Sequence, residues 1–410
     1  MPEARVVLGE GKIPVGRLIF EQDGRREHST FLYDEEWLGR EIGFDLSPQM
    51  PRSRSAYHAS AQGRASARRD VLAGPFTDTT PDSWGRKLLR KIIGEGATEF
   101  DYLIAADDTA RQGALRFLDE EGALFSAGHP PVPRLADLED LRRISARFEK
   151  DPDRAEEEVR ELAGAAGSLG GARPKANIFD GQDLWIAKFT SVLDTWPVER
   201  LEVATLVLAR ECGLRVPEAR LELGQSDHPV ALIKRFDRRG AGRVPYMSAR
   251  SLLGKVGTDG GYYSEIADAL RPASVVPRQD MRELWLRMLF SILVTNTDDH
   301  LKNHGMLYTR NNLWRLSPMF DVNPQPRRQP QMETGISPYH GAAPSVKAAV
   351  DAAPLFDIDE EEARALVQGM ARTLAARWKP ALRAQGLAGR TLSACAPAFE
   401  HDRLEAALSL

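Results

Sequence analysis

The chain has 410 residues, a formal charge of −4 from 55 basic and 59 acidic side chains, and an apolar fraction of 42%. That length is too great for one small core and implies two or three packed units, while the composition excludes disordered and collagen-like classes. The slight acidity supplies no whole-chain attraction for phosphates, so nucleic-acid contact would need a local patch or a partner. The local candidates, five arginines between Arg52 and Arg69 and the pair Arg327–Arg328, are too sparse to decide it.

The first hundred or so residues begin with strand patterns, "RVVLG", "VGRLIF" and "HSTFLY", with Asp23-Gly24 in a hairpin position. "TPDSWGRKLLRKII" then opens a helix, with Pro81 in its first turn and Asp82 and Ser83 near its start. A proline-rich crossing at 126–135 suits a domain boundary, and the charged stretch Ala136 to Ala166 reads as helical. Next comes the glycine-rich "GAAGSLGGARPK", then "ANIF" and "LWIAKF" about the turn "DGQD". "VERLEVATLVLARECG" predicts a helix closed by Gly213, followed by the strands "EARLEL" and "PVALIKRF". The remainder reads as mainly helical, with a hairpin near 305–316 and a loop at 323–331. Only Cys212 and Cys395 are present, which suits a reducing compartment. The N-terminus has no apolar signal core, and the greasiest stretch, Leu284 to Val294, is broken by Arg287 and too short to span a bilayer. The expectation is a soluble, cytoplasmic protein without a membrane partner.

"NTDDHLKNHG" (296–305) follows "MRELWLRMLFSILV", which is apolar on nearly every side and so predicts a buried helix. Three readings compete: an exit into solvent, a metal site on His300 and His304, or a phosphoryl-transfer loop. No third zinc ligand is signalled nearby, and Asn303 and Gly305 break the helix the pair would need. Phosphoryl transfer needs an acid to receive a hydroxyl proton, an amide oxygen five positions on for Mg²⁺, and a second acid on the metal. Asp298 and Asn303 have that spacing, and the Asn311-Asn312 hairpin would return Asp321 toward Asp298. Catalytic loop, hairpin and metal aspartate in that order outweigh the solvent reading. Upstream, the glycines at 164, 167, 170 and 171 could let backbone N–H groups approach phosphates. Lys188 ends the apolar face of a strand one hairpin later. Glu202, with Glu199 as fallback, lies on the packed side of the next helix, where a carboxylate wants a cation.

These stretches, with "PVGRLIF", "FLYDEEWL", "PDSWGRKLLR", "RQGALRF" (111–117), "SLGGARPKA" (168–176), "RFDRR" (235–239) and "LSPMFDV" (316–322), resemble the HipA-type Ser/Thr kinases, toxins of type II toxin–antitoxin modules. The resemblance covers most of the chain in the right order. It implies an α+β, two-lobed protein-kinase-like fold: an N-terminal β-rich subdomain (1–120), a kinase N-lobe with the glycine-rich loop (121–240) and a helical C-lobe (241–410). It implies ATP and Mg²⁺, with Asp298 catalytic, Asn303 and Asp321 on metal, and His300 and Lys302 in support. Lys188, Glu202, Gly170, Gly171, Ala172, Arg235 and Phe236 would serve ATP, the last two at the adenine hinge. Ser168 matches the serine such enzymes autophosphorylate to switch themselves off. It further implies growth arrest and persistence, a protein substrate among translation factors such as an aminoacyl-tRNA synthetase, and a HipB-like helix-turn-helix antitoxin through which alone DNA is met. Lys234 stands where better-known members carry an acid, and 243–254 departs from the family's acidic stretch. The rival functions are a small-molecule phosphotransferase and a silent kinase-like module that docks a DNA-binding partner.

Overall fold

The computed structural model of the protein describes residues 1–24, 26–60, 71–126, 131–153, 159, 162–163, 171–256, 260–325 and 331–410. By contacts the chain divides into two compact units. The first gathers Met1–Val192, Lys234–Asp259 and Met306–Asn312; the second gathers Leu193–Ile233, Gly260–Gly305 and Leu313–Leu410. Among the described residues no helix is long and apolar enough to cross a membrane.

The alternating patterns at the start become β1 (Glu3–Leu8), β2 (Ile13–Asp23) and β3 (Arg26–Tyr33), joined by β4 (Tyr57–Ser60) and β5 (Leu115–Leu118) in an antiparallel sheet of order β4-β3-β2-β1-β5. Their inward residues, with Phe31, Phe76 and Phe117 in ring contact, form one core. Gly16 permits the crossing of β2 and β3: a Cβ there would lie 2.2 Å from the Leu32 carbonyl oxygen.

The helix Ser83–Ile93 is capped by Asp82, whose carboxylate accepts from the Gly85 N–H at 2.9 Å. Pro81 therefore lies outside the helix rather than in its first turn, because Asp82 takes the cap; the Pro81 carbonyl accepts from Arg86 Nε. Arg86 and Glu99 form a buried two-pronged pair at 2.7 Å. The charged stretch expected to be helical from 136 to 166 is interrupted. Its helix, Leu138–Lys150, stops at Asp151, which precedes Pro152 and is thereby kept out of the α region.

β6 (Lys175–Asp180) and β7 (Asp183–Lys188) form the expected hairpin, with Lys175 opposite Lys188. The first unit is pinned by charge. Arg235 is buried and all five of its side-chain N–H groups are engaged: by Asp237 Oδ1 and Oδ2 (2.9 and 2.6 Å), the carbonyls of Ala110 and Arg111 (2.6 and 3.2 Å), and Asn177 Oδ1 on β6 (2.8 Å). Asp237 also accepts from the Gly113 N–H and Arg238. Next to this lies a second knot, in which Asp108 and Glu10 share Arg116 and Arg243. The two stretches "RQGALRF" and "RFDRR", far apart in sequence, thus meet as one buried ion network.

In the second unit, the helix Val198–Glu211 ends at Cys212 with Gly213 left-handed (φ +83°) as expected. β8 (Ala219–Glu222) pairs with β9 (Val230–Lys234). The long helix Glu360–Ala384 packs on Val198–Glu211, and Arg377 grips Glu211 with two hydrogen bonds.

Burial alone would raise the Asp237 carboxyl, but Arg235 and Arg238 outweigh it and hold its pKa well below the usual range. With the unfolded value near 3.9, this stabilisation is complete above that pH and is lost as the pH falls through the folded value. Asp237→Ala strands a buried guanidinium, so its urea midpoint at pH 7 is expected to fall by the equivalent of about 3–5 kcal/mol. The difference from wild type should shrink under acid; a difference unchanged down to pH 2 contradicts the ion network.

Candidate active site

The helix Pro277–Leu293 is the buried element expected there, and nearly every residue from Asp280 onward is out of solvent. It carries charge as well as apolar bulk. Arg287, fully buried, donates to Glu283 one turn away (2.7 Å) and to the Ser317 carbonyl (2.5 Å). Asp280 accepts from the Leu316 N–H (3.0 Å) and from Ser274 (2.7 Å), and Arg215 reaches Leu316's carbonyl (3.0 Å). The Arg215 carbonyl in turn accepts from the Met319 N–H (2.7 Å). The approach to Asp321 is therefore clamped to this helix at Leu316 and Ser317, and to Arg215 at Met319.

Beyond Leu293 the chain turns through Thr295, a non-glycine residue at φ +56°. The turn is over-determined. Thr295 receives a hydrogen bond from Arg403 and gives one to the Ala398 carbonyl, and the Asn296 N–H donates to the Ser291 carbonyl at 2.9 Å. The returning chain docks on the same turn. Asn323 N–H donates to Asn296 Oδ1 (3.1 Å), and Gln325 N–H donates to the Thr295 carbonyl (2.8 Å). Asp321, at φ +57°, accepts from Asn323 Nδ2 at 3.0 Å. The second unit thus ties the backbone on which Asp321 sits to the loop that holds Asp298.

Within the loop, Asp298 is exposed and Asp299 is buried. Asn303 is buried and donates Nδ2 to the Asp298 carbonyl at 3.2 Å, so that its Oδ1 is the amide atom that could hold a metal. Asp298, Asn303 and Asp321 offer oxygen donors only, the set that suits Mg²⁺ rather than zinc. Asp299 is the residue that sequence reasoning missed. Its carboxylate accepts from Tyr263 and from Ser291 (3.1 Å), and His304 Nε2 lies 3.3 Å away without the alignment of a hydrogen bond. Burial pushes the His304 pKa down, so the ring is neutral against Tyr263 at 5.1 Å. The signal was available: of two adjacent acids leaving a buried helix, one can face outward while the other is drawn back to the core. His300 is half-buried and Lys302 is in the single 3₁₀ turn Leu301–Asn303. Among the described residues no three His, Cys, Asp or Glu side chains converge on a metal position.

The upstream candidates divide between the units. Lys188 ends β7, and Glu202 and Glu199 lie on the helix Val198–Glu211; all three are buried. Gly171 is left-handed (φ +108°), with Ala172 exposed beside it; Ser168 and Gly170 lie outside the described residues. Lys175, not singled out from sequence, packs its ammonium against Gly171 and pairs with Asp82 (3.1 Å). Trp84 holds both ends of this turn, through its N–H to the Gly171 carbonyl (3.4 Å) and its indole to the Lys175 carbonyl (3.0 Å). Arg235 has no side-chain donor left, and its backbone N–H is spent on the Leu184 carbonyl (3.0 Å). It can offer a nucleotide only its carbonyl. Phe236, half-exposed, lies 6.5 Å from Tyr246.

Family models describing the HipA N-terminal domain and the HipA-like C-terminal domain match residues 4–117 and 167–378. The chain belongs to the HipA family. The HipA of Shewanella oneidensis MR-1, solved with HipB and its operator DNA, superposes with a TM-score of 0.70 over 99% of this chain and 98% of that one, at 17% identity. The α+β, kinase-like fold of HipA is therefore the fold of this protein. A Haemophilus influenzae protein with a provisional kinase name is 30% identical over 142 residues, 30% of this chain and 41% of that protein. The similarly named Sinorhizobium fredii protein Y4mE is 27% identical over 336 residues, 75% of each chain. The chain spans well under half the length of the first two curated relatives it matches (41% and 36%). It is a kinase-like member of the HipA family.

Removing the Tyr263 hydroxyl leaves a buried carboxylate short of a donor. Tyr263→Phe is expected to cost about 1.5–3 kcal/mol in urea unfolding. Hydrogen exchange in 295–303 should rise with it; an unaltered exchange pattern would mean that Asp299 does not anchor the loop.

Proposed function

We propose that the protein is an ATP- and Mg²⁺-dependent serine/threonine protein kinase and the toxin of a type II toxin–antitoxin module. The observation that carries this reading is the tethering of the Asp321 segment to the loop of Asp298 and Asn303 through Asn296 and Thr295. It puts an exposed acid, an oriented amide oxygen and a second acid on one clamped framework. Asp298 takes the proton of the acceptor hydroxyl, and Asn303 and Asp321 hold Mg²⁺. Bound Mg²⁺ supplies charge neutralisation on the phosphates. Lys188 and Glu202 are the proposed ATP-binding side chains, and the backbone at Gly170, Gly171 and Ala172 is the proposed phosphate cradle. Phe236 packs on adenine, with Arg235 contributing through its carbonyl. His300 and Lys302 support the loop.

Ser168 is the proposed self-phosphorylation site. A phosphate there, carrying roughly −1.5 to −2 charges, opposes the phosphates of ATP and turns the enzyme off. The segments 1–120, 121–240 and 241–410 act as β-rich subdomain, N-lobe and helical C-lobe. The cytoplasm is the site of action, with a translation factor such as an aminoacyl-tRNA synthetase as substrate and a HipB-like antitoxin as partner. DNA is proposed to be met only through that partner; the Shewanella HipA was solved together with HipB and operator DNA.

Purified protein incubated with Mg²⁺ and γ-labelled ATP should become labelled at Ser168, and Asp298→Asn should reduce the rate about 10²–10⁴-fold. Label elsewhere removes the switch and leaves the kinase. Growth arrest that survives Asp298→Asn replaces the enzyme with a silent docking module.

A further inference from the structure

Two residues beyond Asp321 the chain carries Asn323, whose backbone is fixed from both sides. Its own N–H donates to Asn296 Oδ1 (3.1 Å), Pro324 after it is buried, and the Gln325 N–H donates to the Thr295 carbonyl (2.8 Å). The side chain is used as well. Asn323 Nδ2 donates to Asp321 Oδ1 at 3.0 Å, and Asp321 is held at φ +57°, where few residues other than glycine settle. That hydrogen bond decides which way the amide faces. Turned over, it would set Asn323 Oδ1 against a carboxylate oxygen, and neither atom has a proton to give. The amide oxygen is therefore on the side away from Asp321 Oδ1. There it is out of solvent and accepts no hydrogen bond among the described residues.

A buried amide oxygen without a donor costs stability, and its orphaned state calls for a partner that the folded chain alone does not supply. The chemistry of that partner is limited to an N–H or O–H group or a cation. Mg²⁺ dehydrates reluctantly and keeps several waters, whose hydrogens need acceptors in the surrounding shell. We propose that Asn323 is a positioning residue of the metal site: Nδ2 fixes the Asp321 carboxylate, and Oδ1 accepts from a water carried by the metal. This rests on the kinase reading and adds to its site a residue outside the set Asp298, Asn303 and Asp321. Asn303 is built on the same plan, with Nδ2 spent on the Asp298 carbonyl (3.2 Å) and the amide oxygen left over. An aspartate at 323 would set a second negative charge about 3 Å from Asp321, and an apolar residue would make neither hydrogen bond. An amide serves a carboxylate on one side and a water on the other. Asn323 touches no reacting atom.

The test compares wild type, Asn323→Ala and Asp321→Ala. Asn323→Ala keeps the backbone N–H that bonds Asn296 and removes only the amide. Two readouts are taken on the purified proteins: Mn²⁺ affinity in the presence of a non-hydrolysable ATP analogue, from the free-Mn²⁺ signal in electron paramagnetic resonance, and the thermal midpoint in EDTA. Expected for Asn323→Ala is Mn²⁺ affinity about 10–100-fold below wild type, as for loss of an outer-shell partner, with the EDTA midpoint unchanged. Wild-type Mn²⁺ affinity in Asn323→Ala overturns the positioning role and leaves the metal site standing. A lowered EDTA midpoint alongside weaker binding also overturns it, by showing a structural role. Wild type and Asp321→Ala that bind Mn²⁺ alike sink the metal reading of Asp321 and Asn323 with it, a signature distinct from the other two. A crystal structure of the wild type with Mn²⁺ and the same analogue reads the contact without any variant. A metal-bound water about 2.8 Å from Asn323 Oδ1 is expected, and an Oδ1 that meets only protein atoms overturns the proposal.

Discussion

Arg235 and Asp237 organise the first unit. A guanidinium with five donors is difficult to bury, and here every one of them is spoken for by a carboxylate, two carbonyls and an amide from three separate stretches of chain. The pair joins the turn before β5 to β6 and to the chain that leaves β9. It does so at a point where Gly113 is left-handed (φ +75°) and a Cβ would come within 3.2 Å of Tyr246. Such a pair is a poor source of net stability, since desolvating both ions offsets much of their attraction. Its use is register: a neighbour displaced by one residue would leave a buried charge unmatched. The N-terminal sheet and the β6–β7 hairpin are fixed together on those terms.

The second unit uses buried charge in the same way for a different end. Asp280, Glu283 and Arg287 are charges on the buried side of this helix, and each reaches the segment Leu316–Ser317 or the arginine that holds it. Together with Asn296 and Thr295 they bring the Asp321 segment and the Asp298 loop to one framework. Positioning of this kind is what phosphoryl transfer asks of a protein, because little covalent chemistry falls to the side chains. The exposed acid stands on the surface of the framework, and its neighbour Asp299 is the root.

The sequence showed most of this outline and little of its wiring. Alternation at residues 3–33, the glycine closing the 198–211 helix and the Asn-Asn hairpin are local signals, and the structure has strands, cap and turn there. The spacing of Asp298, Asn303 and Asp321 drew attention to a segment that the structure does organise around one loop. The motif position of Arg235 points to a nucleotide, but that Ala110, Arg111 and Asn177 claim its donors is not legible in sequence, since those partners lie 58 or more residues away. The same holds for Asp82 with Lys175. Pro81 and the helix break at Asp151 failed for a closer reason: a neighbouring cap and a following proline outweighed the wider pattern.

The first unit is assembled from three pieces of chain, and the last of them ends at Asn312. Asn312 exchanges hydrogen bonds with Asp45, accepting from its N–H at 2.8 Å and donating to its carboxylate at 2.7 Å, while Tyr308 stacks on Phe44 at 4.0 Å. During synthesis the N-terminal sheet therefore leaves the ribosome with the Gly113 N–H and the carbonyls at 110 and 111 waiting for residues not yet made. The β-rich subdomain can collapse early but cannot reach its final form until the strand beyond the Asp298 loop has emerged. A chain interrupted before that point holds neither a finished first unit nor Asp321, so incomplete translation products carry no assembled site.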